Sequence, residues 1–119
     1  AIARIAREEI PPVLDYLESQ VPREGFLFGA FGIADIAIAV FLRNAAFARY
    51  RVDPQRWPAV AGNVDRALAQ GCFTRLQPFE AIMMRTPIRD QRAALAAAGA
   101  PLSATTVGGD APRRGVMRT

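Results

Sequence analysis

Histidine and lysine are both missing from the chain, and cysteine and tryptophan occur once each. Without histidine there is no Ser-His-Asp triad, no Cys-His nucleophile pair and no His-containing metal site. A single cysteine, Cys72, excludes an internal disulfide and a thiolate metal cluster, which agrees with a reducing, cytoplasmic setting. The amino terminus has no basic-then-apolar leader pattern. No apolar run reaches the roughly 20 residues of a membrane span, and no stretch alternates with period two for long enough to make a strand. All 15 basic residues are arginine. Scattered arginines without lysine read as the codon bias of a GC-rich, bacterial genome, since bidentate recognition needs them clustered.

What is present suits one helical domain. The 119 residues are 51% apolar, enough for a single core that buries about two thirds of the unfolded chain's surface. The net charge is +4, but residues 1 to 102 hold 12 arginines against 10 acids. No helix face of one sign emerges, so nucleic acid is not an expected partner. The chain opens without methionine, inside a helical pattern, and reads as a fragment.

The most apolar stretch lies between Gly25 and Arg49. From Ile33 to Leu42 nine of ten residues are apolar, the exception being Asp35. A helix apolar nearly all round is surrounded by protein, so residues 33–49 are expected to form a central buried helix about 25 Å long. With Gly32 as N-cap, Asp35 falls at N3, where its carboxylate reaches back to the N-cap amide and meets the positive end of the helix dipole. Phe31 and Ile36 stand at the two positions of a hydrophobic staple.

Gly29-Ala30-Phe31-Gly32-Ile33-Ala34-Asp35-Ile36 resembles the Gly-x-x-Ser/Thr-x-x-Asp box that opens the core helix in the C-terminal domain of glutathione S-transferases. Asp53 to Pro58 (DPQRWP) and Gly71-Cys72-Phe73 continue the likeness, which covers roughly residues 10 to 85. Gly32 departs from the family pattern, which places a hydroxyl there, so half of the reciprocal box is missing. The resemblance implies an all-α helical bundle, assigned to residues 1–102; from Ser103 onward the composition shifts to glycine, proline and small polar residues with three arginines, so residues 103–119 are expected to be a flexible basic tail.

Elsewhere the pattern gives shorter elements. Ile2, Ile5, Ile10, Val13, Leu14 and Leu17 share one face of an amino-terminal helix that Pro11-Pro12 should kink or split. Val40, Phe41, Asn44, Phe47 and Ala48 should continue the buried side of the core helix. Asp53-Pro54 and Trp57-Pro58 are successive start signals for a helix to Gln70, with Gly71 as its C′ residue. Trp57 is expected to pack over the end of the domain rather than line a pocket. Cys72, with no base to activate it, reads as a small buried hydrophobe rather than a nucleophile. Ile88 to Ala98 forms a helix that Gly99 and Pro101 stop.

The motif at Gly32 and Asp35 is structural, and no catalytic, cofactor-binding or metal-binding residue is assigned. The resemblance implies a parent protein that conjugates or reduces with glutathione as co-substrate. This helical domain would supply the hydrophobic co-substrate side and depend on a missing thioredoxin-like N-terminal domain. The alternative is a non-catalytic protein–protein interaction module, as the same fold serves in elongation factor gamma subunits and synthetase complexes. An apolar amino-terminal face without a cover leads us to expect a homodimer, with neither nucleic acid nor membrane as partner.

Overall fold

The computed structural model describes residues 2–104 and residue 106. The amino-terminal prolines shape the first element. Pro11 and Pro12 offer no amide hydrogen to the carbonyls one turn back, and their rings crowd those carbonyls. Instead of breaking, the chain runs from α1 (Ile2–Arg4) through a π-helical segment (Ile5–Glu9) into α2 (Ile10–Gln20). Ile10 donates five residues back, to Ile5, and keeps right-handed helical dihedrals with φ −71°. The wider π turn absorbs the mismatch. The expected kink or split is therefore replaced by a continuous helix with one widened turn.

The core helix is α3 (Ile33–Phe47). Its end is a Schellman closure: Arg49 turns left-handed at φ +65°, its amide donates to Ala46, and the amide of Tyr50 donates to Ala45. Against expectation, the described residues of the first unit do not surround this helix. Asp35, Ala39 and Leu42 are buried, whereas Ile33 is 84% exposed and Phe41 73%. Val40, Asn44, Phe47 and Ala48 are exposed as well, so the stripe expected to continue the buried side is the open one. The amino-terminal face is corrected likewise, since Leu14 is buried but Ile2, Ile5 and Val13 are exposed.

Next comes α4 (Pro58–Leu68). Asp53 closes a turn before it by accepting from the Gln55 amide at 2.9 Å, and Trp57 is the N-cap with Pro58 at the first helical position. Leu14, Val21, Leu42, Trp57, Ala59 and Val60 form the core, and Ile10, Leu17, Ile38 and Val64 pack on it. The helix stops at Leu68, and Gly71 opens α5 (Gly71–Thr74) instead of serving as C′. Cys72 is exposed, not buried.

The chain divides after Phe73 into two compact units. In the second, α6 (Gln77–Arg85) and α7 (Ile88–Ala97) are joined by Thr86 and Pro87. Gln91 Nε2 donates to the carbonyls of Met83 at 2.9 Å and Thr86 at 3.2 Å, satisfying the end of α6. Leu95 is buried. Gly99, at φ +78°, closes α7 by a second Schellman pair, Gly99 to Ala96 and Ala100 to Leu95. Arg92 then holds the carbonyls of Ser103 and Thr106. The rest of the expected tail, Thr105 and residues 107–119, lies outside the described residues. Among those described, no strand forms, only isolated bridges Phe26–Gly29 and Phe28–Ala30. The protein is all-α.

Candidate functional site

The buried centre of the first unit is polar. Asp35 and Asn63 are 1% and 0% exposed, and the Asn63 amide donates to Asp35 Oδ1 at 3.0 Å. Asp35 Oδ1 also accepts from the Leu27 amide at 3.1 Å, and Oδ2 from the Gly32 amide at 3.0 Å. One carboxylate thus ties together the start of α3, the loop before it and α4. Burial pushes the Asp35 pKa up, but the hydrogen bonds from Asn63, Leu27, Gly32 and its own backbone outweigh it and leave the pKa below its ordinary value. Gly32 has no side chain to return a bond. Its backbone is extended, and a Cβ there would meet only the Ala30 carbonyl, at 3.8 Å. Phe31 makes its ring contact edge-on with Phe26, at 5.2 Å between centroids.

Sequence reasoning missed Asn63. The signal is there, because an amide between Val60 and Ala67 interrupts an apolar helical face. Its Oδ1 has no partner among the described residues, so the residue spends its donor on Asp35 and leaves its acceptor bare. Arg66, one turn on, fixes the same loop by donating to Gly25 O at 3.0 Å and Pro22 O at 3.3 Å.

A second network, also unread in the sequence, joins α2 to α4. Trp57 carries no capping oxygen, and Glu18 supplies one from α2. Its two carboxylate oxygens accept the amides of Ala59 and Val60, each at 2.9 Å. These are the N2 and N3 amides, orphaned in any helix without a cap. Trp57 Nε1 donates to Asp15 Oδ1 at 2.7 Å, and the Arg56 guanidinium lies 4.2 Å from the Trp57 ring centroid. The tryptophan is a buried anchor.

The residues with an open environment line a groove between α2 and α3. Its volume is ≈ 500 Å³, and its walls include Ile10, Val13 and Leu17 from α2 and Ile38 and Phe41 from α3. Among the described residues Glu9 is its one charged lining residue, and it is paired with Arg4 at 2.7 Å. Such a surface binds apolar groups and offers nothing to activate a nucleophile. Among the described residues no three acidic or cysteine side chains gather as metal ligands, and no helix is long and apolar enough to cross a membrane.

A family profile described as "Glutathione S-transferase, C-terminal domain" matches residues 1–69, which contain the Asp35 network and the groove. The chain belongs to the glutathione S-transferase C-terminal domain family. No curated protein and no solved structure matches it. The matched span ends with α4, so the family likeness takes in the helices that Asp35 and Glu18 hold together. For this glutathione S-transferase-like domain, Gly32 and Asp35 come together at the start of α3, while Cys72 lies beyond the match and exposed.

Proposed function

We propose that the chain is the helical half of a glutathione S-transferase-like enzyme, and that the α2–α3 groove forms the apolar wall against which the co-substrate lies. The observation that carries this reading is the groove itself, apolar apart from Glu9 and large enough for an aromatic or alkyl electrophile. Glutathione is the co-substrate of the parent protein. Its recognition and the activation of its thiol require a positioned donor and a peptide site, which on this reading come from a thioredoxin-like N-terminal domain. Cysteine usage accords with work in the cytoplasm.

The 119-residue chain alone is therefore expected to bind a chlorinated aromatic acceptor without conjugating glutathione to it. Turnover above the uncatalysed rate would overturn the division of labour, and failure of the acceptor to bind in competition with an apolar fluorescent probe would overturn the groove assignment. Cys72→Ser should change neither result.

A second reading, a non-catalytic interaction module of the same fold, draws on the exposed stripe of Ile33, Val40, Phe41 and Phe47 along α3. Apolar residues in such a row mark surfaces that partners cover.

A further inference from the structure

We draw no further inference here: the strongest candidate, the exposed apolar surface around the start of α3, where Phe28 of the preceding loop and Ile33 at the first helical position are each 84% exposed, carries nothing because nothing in the structure shows what covers it.

Discussion

Asp35 shows how one side chain can be both the costliest residue to bury and the hardest to replace. A carboxylate 1% exposed would be destabilising by itself, yet its hydrogen bonds hold the folded-state pKa below the ordinary value. A depressed folded pKa contributes stability that is complete above the unfolded value of about 3.9 and is lost as pH falls through the folded one. Asp35→Asn should cost about 3 kcal/mol at neutral pH, because it sets an amide against the Leu27, Gly32 and Asn63 donors. The gap between wild type and variant should narrow below about pH 4 as wild-type Asp35 takes up its proton. Urea unfolding across that range measures both effects. A gap that stays constant with pH would show that the carboxylate's charge contributes nothing.

At the scale of elements, the helices cap one another. The start of α4 has no side-chain oxygen of its own, and Glu18 of α2 fills the role across the interface. Packing of α2 on α4 and initiation of α4 are thus one event. Glu18→Ala leaves the Ala59 and Val60 amides without their acceptor and should cost about 2 kcal/mol, while Glu18→Gln, which keeps one acceptor oxygen, should lose about half of that. Trp57, the only tryptophan, sits beside this contact and reports on it through its fluorescence. A Glu18→Ala midpoint equal to wild type would mean that water caps α4 equally well.

For the whole molecule, the open faces of α2 and α3 dominate. Ile2, Val13, Tyr16 and Phe41 are each more than half exposed, and apolar surface of that extent normally finds a cover. The chain by itself is expected to form a homodimer in which the amino-terminal helices pack about a two-fold axis, each copy burying about 800 Å² as stable interfaces do. Sedimentation equilibrium at micromolar concentration should give twice the 12.9 kDa of one chain, and Val13→Asp should return it to a monomer. A wild-type mass of one chain would sink the dimer.

The sequence alone determined where α3, α4 and α7 begin and where α7 ends. Pro58, Gly99 and the apolar run from Ile33 carry their instructions within one or two turns, so the all-α class, α3 and α7 were legible, as was the Asp35 position three residues after Gly32. Tertiary structure decided the rest. Nine apolar residues in ten leave Ile33–Leu42 almost without a polar face, so periodicity could not say which side of α3 would be buried, and only its packing on α4 turned Ala39 and Leu42 inward. Cys72 is exposed, and Gly71, expected as a C′ residue, opens a short helix instead. Asn63 meets Asp35 across 28 residues, and Glu18 meets Ala59 across 41. Pairings at that distance depend on how helices cross, a geometry that no local pattern of residues encodes.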